Sequence, residues 1–247
     1  MTPSRPFRAV LFDMDETLLE HTQSFEELGY AIHHHFQSEL VGVARDEFWE
    51  TYWEKTVDLW FMMFDGVIDG VVARRYSFIN TLRTLKLNES LVDEMVRVAD
   101  EHILAATRLF DDTMPVLKRI RDAGITTGIV TNGYTQLQRL KLNHHGLCDL
   151  VDFTLVSEEA GAHKPDPRIF QQALAKTEAS VSECLFVGDM PDADIKGAHA
   201  VGMPSALIDA GGKWANLRTA TGAPKATFTI KRLGELLPIL GLDALRG

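Results

Sequence analysis

The stretch AVLFDMDETLLE, residues 9–20, places two carboxylates directly after a run of four apolar residues. In extended backbone, residues i and i+2 point to the same side, so Asp13 and Asp15 would face each other. Each anion makes the other harder to ionise, an arrangement that a solvated loop does not require. A bound cation or a shared proton would relieve this repulsion, and the rest of the sequence must distinguish the two.

Short apolar runs like residues 9–12 recur along the chain, and each ends in polar or glycine-containing sequence. Runs without alternation are typical of strands that are buried on both faces of a parallel sheet. Helical patterns fill the segments between them, which predicts a Rossmann-like α/β fold with a doubly wound parallel sheet. The predicted strands are AVLF (9–12), TTGIV (126–130), FTLV (153–156), ECLFV (183–187), SALI (205–208) and ATFTI (226–230).

Two of the connecting helices have clear boundaries in the sequence. Residues 134–146 are predicted to form a helix with Leu137 and Leu140 on its apolar face, closed by Gly146. Asp166 is predicted to be the N-cap of the helix that follows it.

Residues 18–110 break the alternation of strands and helices. Their periodic segments look helical, and none of them is a convincing strand. The sequence therefore predicts an all-helical insertion at 18–110 within an α/β core formed by residues 1–17 and 111–247.

Three groups of side chains in this insertion have alternative interpretations. The histidines 33–35 point in directions about 100° apart on a helix, which disfavours a metal cluster. Arg74 and Arg75 are predicted to be a solvated pair, although either could reach an anionic group of a substrate. The tryptophan spacing predicts packing inside the insertion, with dimerisation as the alternative: Trp49, Trp53 and Trp60.

The composition argues against several classes of function. The 25 basic and 35 acidic residues give a net charge of −10, which disfavours a nucleic-acid-binding surface. No apolar run approaches the roughly 18 residues of a membrane span, and the first residues lack a signal-peptide pattern. Cys148 and Cys184 are predicted to be buried free thiols rather than a disulfide. We therefore expect a cytoplasmic monomer or homodimer without nucleic-acid or membrane partners.

Polar side chains follow the predicted strands at their carboxyl ends, where parallel sheets of this kind place their ligands. Three or four carboxylates gathered there would make an oxygen-rich site that suits Mg²⁺. A lysine and a threonine hydroxyl would suit phosphate oxygens, and one further carboxylate could attack phosphorus. The candidate residues are Asp13, Asp15, Thr131, Asn132, Lys164, Asp189 and Asp194.

Four segments resemble, in this order, the signature motifs of the haloacid dehalogenase-like (HAD) hydrolase superfamily. They are DMDETL (13–18), IVTNG (129–133), HKPDPRIF (163–170) and GDMPDADIKGA (188–198). The resemblance covers the core, and the insertion is similar only in position and helical character to the C1-type cap of that family. It implies that the core performs the chemistry and that the cap selects the substrate.

The resemblance implies a Mg²⁺-dependent phosphatase, a phosphomonoester hydrolase acting on a small phosphorylated metabolite. Asp13 would be the nucleophile that forms an aspartyl phosphate, and Asp15 the general acid and then the general base. A phosphomutase acting on a sugar phosphate would use the same core. A 2-haloacid dehalogenase is less favoured, because that branch lacks an acid at the Asp15 position. A non-catalytic binding module is a further alternative, although all of the motif residues are kept.

The resemblance also implies which residues bind Mg²⁺ and phosphate. Mg²⁺ would be held by Asp13, by the backbone carbonyl of Asp15, by Asp189 and by Asp194, the last directly or through water. Phosphate oxygens would be bound by Thr131, Lys164 and the main chain near Asn132.

Overall fold

The computed structural model describes residues 6–64, 66–209 and 224–243. Six parallel strands form the main sheet in the order β5-β4-β1-β6-β7-β8, which confirms the predicted doubly wound α/β fold. A separate antiparallel pair consists of β2 and β3. The strands are β1 (Ala9–Phe12), β2 (Leu19–His21), β3 (Thr107–Leu109), β4 (Thr126–Thr131), β5 (Phe153–Val156), β6 (Cys184–Gly188), β7 (Ser205–Ile208) and β8 (Phe228–Ile230).

The first strand, β1, lies at the centre of the sheet between β4 and β6. Ala9 pairs with Thr126 on one side and with Cys184 on the other. The chain builds the sheet outward from β1 first through β4 and β5, and then through β6, β7 and β8. The strand order therefore reverses at β1, and such a reversal opens a ligand crevice at the carboxyl ends of the strands.

The sheet is covered on both faces by helices. Val10 and Phe12 join an apolar cluster with α5 and α10, whereas Ala9 and Leu11 join a second cluster with α8 and α9. This burial on both sides explains why the strands are continuous apolar runs. The helices are α1 (Phe25–His35), α2 (Arg45–Phe64), α3 (Gly70–Thr84), α4 (Val92–Ala105), α5 (Thr113–Asp122), α6 (Thr135–His144), α7 (Ser157–Ala160), α8 (Pro167–Leu174), α9 (Lys196–Ala200) and α10 (Leu236–Ile239).

Two predicted helix boundaries are confirmed. The carboxylate of Asp166 accepts a hydrogen bond from the backbone N–H of Arg168 and caps α8. Gly146, just beyond α6, has a φ of 65°, the left-handed conformation that glycine adopts without a steric penalty.

The predicted apolar face of α6 is partly wrong. Leu137 is buried, but Leu140 is 42% exposed. The buried side of the helix instead carries Gln138, Lys141 and Leu142. Polar side chains thus occupy positions that the hydrophobic pattern does not mark as buried, and both of them prove to lie in the candidate site.

The inserted segment packs its four helices, α1 to α4, around an apolar cluster of its own. Leu28, Ile32, Phe48 and Phe78 are among the buried members of this cluster. The predicted packing of the tryptophans inside the insertion is confirmed only in part: their rings contact one another and Phe25, but all three are half-buried and only Trp49 packs against this cluster. We call this segment the cap, and its boundaries at 18 and 110 stay a prediction.

The cap is not helical to its ends, so the prediction of an all-helical segment is wrong there. Strands β2 and β3 pair antiparallel, with Leu19 opposite Leu109 and His21 opposite Thr107. Strands of three residues are too short to produce a recognisable period in the sequence. The pair joins the two connections between core and cap, and it brings His21 next to the candidate site.

The structure tests two further expectations from the sequence. Both cysteines are free, but only Cys184 is buried, whereas Cys148 is exposed on the core. No helix within the described ranges combines the length and the apolar composition that crossing a membrane requires.

Candidate active site

The candidate residues converge at the carboxyl edge of the three central strands. Asp13 directly follows β1, Thr131 ends β4, and Asp189 directly follows β6. Lys164 lies in the loop between α7 and α8. Because β4, β1 and β6 are neighbours, these side chains are brought to one place although they are far apart in sequence.

Three carboxylates form a compact acidic cluster in this place. One oxygen each from Asp13, Asp189 and Asp194 lies within 4.8 Å of the others, and all three residues are buried. In the part of the chain that the structure describes, this is the one group of acids, histidines or cysteines close enough to hold a metal ion. The sequence-based prediction of these three residues as neighbours agrees with this geometry.

Lys164 joins this cluster as a buried cation. Its Nζ donates to Oδ1 of Asp13 at 2.5 Å and to Oδ1 of Asp194 at 2.8 Å. Burial alone would lower the pKa of Lys164, but the two carboxylates outweigh it and hold that pKa above its usual range. Lys164 is therefore an ammonium ion directly beside Asp13.

Asp13 is poised between its protonated and ionised forms. Burial raises the pKa of Asp13 to about 7, Lys164 opposes this rise, and the charges of Asp194 and Asp15 add to it. A cation bound at the acidic cluster would favour the ionised form. Buried carboxylate oxygens are ligands that Mg²⁺ prefers, so the residues present fit this ion.

Gly188, the last residue of β6, makes room for Asp194. A Cβ atom at this glycine would lie 2.3 Å from Oδ2 of Asp194, much closer than any van der Waals contact. The same oxygen of Asp194 accepts a hydrogen bond of 2.9 Å from the backbone N–H of Met190. The glycine of the GD pair is thus required by the close approach of a carboxylate.

Thr131 and Asn132 lie where the sequence places them, but the Asn132 side chain has another partner. Its Oδ1 accepts from the backbone N–H of Lys164 at 2.8 Å, and its Nδ2 donates to the carbonyl of Lys164 at 2.9 Å. The side chain of Asn132 therefore fixes the loop that carries Lys164. Phosphate binding by the main chain of Asn132 and by the buried hydroxyl of Thr131 stays a prediction.

The side chain of Asp15 lies apart from the acidic cluster. Both of its carboxylate oxygens accept from Nζ of Lys141 at 2.7 Å. His21 Nε2 lies 2.9 Å from Oδ1, and Nε2 of Gln138 donates to Oδ2 at 3.0 Å. Burial would raise the pKa of Asp15, but Lys141 and the hydrogen bonds from His21 and Gln138 lower it far below its usual range.

Two buried lysines lie among the carboxylates of the site. Lys164 pairs with Asp13 and Asp194, and Lys141 pairs with Asp15. Buried carboxylates that lie this close together repel one another, and a divalent cation at the acidic cluster would offset that repulsion. The metal role predicted for Asp15 concerns its backbone carbonyl only, since its carboxylate is bound to Lys141.

A model of one protein family matches residues 7–202, which is most of the chain, and its description is haloacid dehalogenase-like hydrolase. The chain belongs to the haloacid dehalogenase-like hydrolase family. It is therefore an enzyme of the hydrolase class, as the four motifs predicted.

Proteins that are similar to this chain have different functions. The ribulose-1,5-bisphosphate 5-phosphatase of Halopiger xanaduensis is 28% identical over 94% of this chain and 98% of its own. The magnesium-bound HAD-hydrolase YfnB of Bacillus subtilis has a similar structure, with a TM-score of 0.71 and 22% identity over 96% of this chain and 99% of its own. A 2-haloacid dehalogenase of Pseudomonas syringae pv. Tomato has a TM-score of 0.68 and 24% identity over 95% of this chain and 98% of its own. Because the fold is shared across both activities, the site must distinguish them.

Three residues around Asp15 in this HAD-like hydrolase were not predicted from the sequence. His21 lies on a three-residue strand that was not predicted, and Gln138 and Lys141 lie on α6. The spacing of three between Gln138 and Lys141 puts them on one face of the helix. That spacing is the only signal in the sequence, and it equally fits an ordinary exposed face.

The arginines of the cap do not reach the acidic cluster. Arg74 is buried and donates to Oδ1 of Asp100 and to the hydroxyl of Tyr52, at 3.1 Å each. Arg75 is partly exposed and pairs with Asp93. The expectation of a solvated pair is therefore confirmed for Arg75 and wrong for Arg74, which lies in a polar network inside the cap.

Proposed function

We propose that this HAD-like hydrolase is a Mg²⁺-dependent phosphatase that hydrolyses phosphomonoesters of small metabolites through an aspartyl phosphate. One observation carries the proposal: Lys164 pairs with Asp13 in an acidic cluster, while a second carboxylate, Asp15, lies two residues further with different partners. Phosphoryl transfer through an enzyme carboxylate needs a nucleophile, positive charge beside it and a separate acid–base group. Each of these needs has a residue that suits it.

Asp13, Asp189 and Asp194 would hold Mg²⁺, together with the backbone carbonyl of Asp15. Bound there, Mg²⁺ would supply positive charge that stabilises the oxygens of the transferring phosphoryl group. Lys164 contributes a further cation from the protein itself, and its contacts with Asp13 and Asp194 fix its position. This preorganised positive charge is the main means by which phosphoryl transfer is accelerated.

In the first step, a carboxylate oxygen of Asp13 forms a bond to phosphorus while the bond from phosphorus to the ester oxygen breaks. The leaving oxygen takes a proton from Asp15 and departs as an alcohol. In the second step, Asp15 accepts a proton from water as the water oxygen attacks phosphorus. The bond between Asp13 and phosphorus then breaks, and inorganic phosphate is released.

Asp15 is suited to both halves of this cycle. Lys141, His21 and Gln138 keep it ionised in the substrate-free site, which is the form that a general base needs. A phosphate ester brings negative charge next to this carboxylate, and a nearby anion raises the pKa of an acid. Substrate binding therefore favours uptake of the proton that Asp15 gives to the leaving oxygen.

The presence of Asp15 also favours phosphatase over dehalogenase activity. A halide leaves without a proton, so a dehalogenase has no use for an acid held at this position by three side chains. A small sugar phosphate is the substrate class that we favour, because one of the relatives aligned over almost the whole chain is a ribulose-1,5-bisphosphate 5-phosphatase. The cytoplasmic location and the monomeric or dimeric state stay predictions from the sequence.

The test is hydrolysis of p-nitrophenyl phosphate with Mg²⁺. We expect turnover by the wild type and a loss of more than about 10³-fold in Asp13→Asn, which should stay folded as judged by its circular dichroism spectrum. Asp122→Asn, an exposed acid on α5, is the matched control and should keep full activity. Excess EDTA should stop the reaction and Mg²⁺ should restore it. Undiminished turnover in Asp13→Asn, or activity that persists in EDTA, would refute the proposal.

A further inference from the structure

Lys141 is a buried cation that none of the four motifs includes. It lies on α6, is only 2% exposed, and places its Nζ 2.7 Å from both carboxylate oxygens of Asp15. A lysine is rarely buried to this degree unless its charge is paired. The negative charge of Asp15 compensates the positive charge of Lys141.

Stability is a weak reason for such an ion pair. Removing two charges from water costs about as much as their attraction returns, and well-packed apolar residues usually stabilise a protein as well or better. An apolar residue would also continue the buried face of α6, which already carries Leu137 and Leu142. The ammonium group at position 141 therefore points to a role in the site.

Asp15 is fixed from two elements at once. His21 reaches it from β2, and Gln138 and Lys141 reach it from successive turns of α6. Nε2 of Gln138 also lies 2.6 Å from the Thr131 hydroxyl and 3.0 Å from the carbonyl of Asn132, so it links Asp15 to the end of β4. The carboxylate of Asp15 keeps 22% of its side-chain surface exposed.

The carboxylate of Asp15 could instead bind a cation at the acidic cluster. Asp15 is two residues from Asp13, and its negative charge already contributes to the raised pKa of Asp13. A divalent cation at the cluster would attract a fourth carboxylate, because Mg²⁺ prefers carboxylate and other oxygen ligands. A carboxylate bound to the metal could no longer give or accept a proton at the substrate.

We propose that Lys141 is a positioning residue that keeps the carboxylate of Asp15 away from the metal site and available for acid–base chemistry. The inference rests on the proposed function, in which Asp15 handles the protons. Lys164 then contacts Asp13 and Asp194, two of the acids at the proposed metal site, and Lys141 contacts the acid–base carboxylate. The two lysines act on different steps of the same reaction.

The first experiment compares Lys141→Met, Lys141→Arg and the exposed-lysine control Lys118→Met. Hydrolysis of p-nitrophenyl phosphate and of glycerol phosphate is measured, because the alkyl leaving group needs a proton more than nitrophenolate does. We expect Lys141→Met to lower kcat for glycerol phosphate by about a hundredfold or more, and for the nitrophenyl ester by less. Lys141→Arg, which keeps the charge, should recover part of the loss, and Lys118→Met should lose nothing.

The second experiment measures Mg²⁺ affinity by calorimetry and needs no turnover. If Lys141 holds Asp15 away from the metal, Lys141→Met should bind Mg²⁺ at least about threefold more tightly than the wild type, since one cation has gone and one carboxylate is released. Loss of the lysine charge alone would also tighten binding, so the step from Asp15→Asn to the double variant Asp15→Asn/Lys141→Met, in which no carboxylate can be released, measures that contribution. Binding that is weaker, unchanged or tightened only as much as in that pair would overturn the proposal.

A double-mutant cycle completes the test and remains informative if Lys141→Met is unstable. In an Asp15→Asn background the charge pair no longer exists, so adding Lys141→Met should have little further effect on kcat. Losses that simply multiply would show that Lys141 acts elsewhere. An inactive wild type or an active Asp13→Asn would refute the proposed function, whereas an active Lys141→Met beside an inactive Asp13→Asn would refute the role of Lys141 alone.

Discussion

The core and the cap both bury charged groups, but they arrange them differently. In the cap, one cation, Arg74, faces one carboxylate, Asp100, and the hydroxyls of Tyr52 and Tyr134 bind the same pair. In the core, three carboxylates converge beside one lysine, and a fourth carboxylate pairs with a second lysine. A single ion pair suits a structural role, whereas converging buried carboxylates are the ligands that a divalent cation prefers.

The same comparison separates packing from chemistry. Tyr134 belongs to the core by sequence, directly after the Thr131–Gly133 segment, yet its ring lies in the apolar cluster of the cap and its hydroxyl donates to Asp100. Glu158 of the core accepts hydrogen bonds from the backbone N–H groups of Gly70 in the cap and Thr135 in the core. These contacts hold the cap on the core, so the cap network serves the arrangement of the two parts rather than the reaction.

The largest difference is expected when Lys164 of the core and Arg74 of the cap are each replaced by methionine. Lys164→Met should lower kcat by about 10²–10³-fold or more, because it removes positive charge beside the reacting carboxylate. Arg74→Met should instead lower the free energy of unfolding by about 3–5 kcal/mol, since it leaves Asp100 buried without its partner. Steady-state kinetics below the unfolding temperature and urea denaturation measure the two effects. A loss of kcat in Arg74→Met as large as that in Lys164→Met would break the distinction.

Each region also contains a glycine that packs closely against a side chain. Replacing each glycine by alanine should have a smaller effect, on metal binding in the core and on stability in the cap. Gly188→Ala would displace Asp194, so we expect Mg²⁺ affinity to fall by about 10–100-fold. Gly29→Ala in the cap would place a Cβ 2.5 Å from the Trp49 ring and should cost about 1–3 kcal/mol of stability. Calorimetric titration should find unchanged Mg²⁺ affinity in the Gly29 variant. Weakened binding there would mean that the cap shapes the metal site.

A further difference between the regions is expected in the pH dependence of stability of the metal-free protein. The pKa of Asp13 is about 7 in the folded protein and has the ordinary value of 3.8 in the unfolded chain. Between these two pH values, the folded state holds a proton that the unfolded chain releases. The free energy of unfolding should therefore fall as pH rises from about 4 to about 7, relative to Asp13→Asn. Asp122→Asn should keep the wild-type slope. Mg²⁺ should stabilise the protein more at about pH 8 than at about pH 5, and equal stabilisation would contradict this account.

The core was largely predictable because its strands are buried on both faces. Apolar runs identified β1, β4, β6 and β7, and the less apolar segments FTLV and ATFTI were also predicted as strands; the polar residues that follow the runs located Asp13, Thr131 and Asp189. The proximity of these residues, which are far apart in sequence, could be inferred because the carboxyl ends of parallel strands lie at one edge of the sheet. Lys164 and Asp194 were also candidates, but the resemblance to a known family gave them their roles, since no such geometric rule applies to a loop lysine or to an acid several residues beyond a strand.

The other half of the site was not predictable from pattern alone. Gln138 and Lys141 lie on a buried face of α6 although their side chains are polar, while the apolar Leu140 next to them is exposed. Periodicity assigns burial by hydrophobicity, so it fails where polar residues are buried against a charged partner. The partner here is Asp15, more than a hundred residues away in sequence, and only the fold brings the two together.

The most direct test of the central claim is to trap the covalent intermediate on Asp13. Asp15→Asn should still transfer the phosphoryl group from p-nitrophenyl phosphate, whose leaving group needs little protonation, but it should hydrolyse the intermediate slowly. We therefore predict a burst of one nitrophenolate per protein and, after an acid quench, the added mass of one phosphoryl group on the peptide that contains Asp13. Turnover without a phosphorylated peptide, or a phosphoryl group on another residue, would contradict the account.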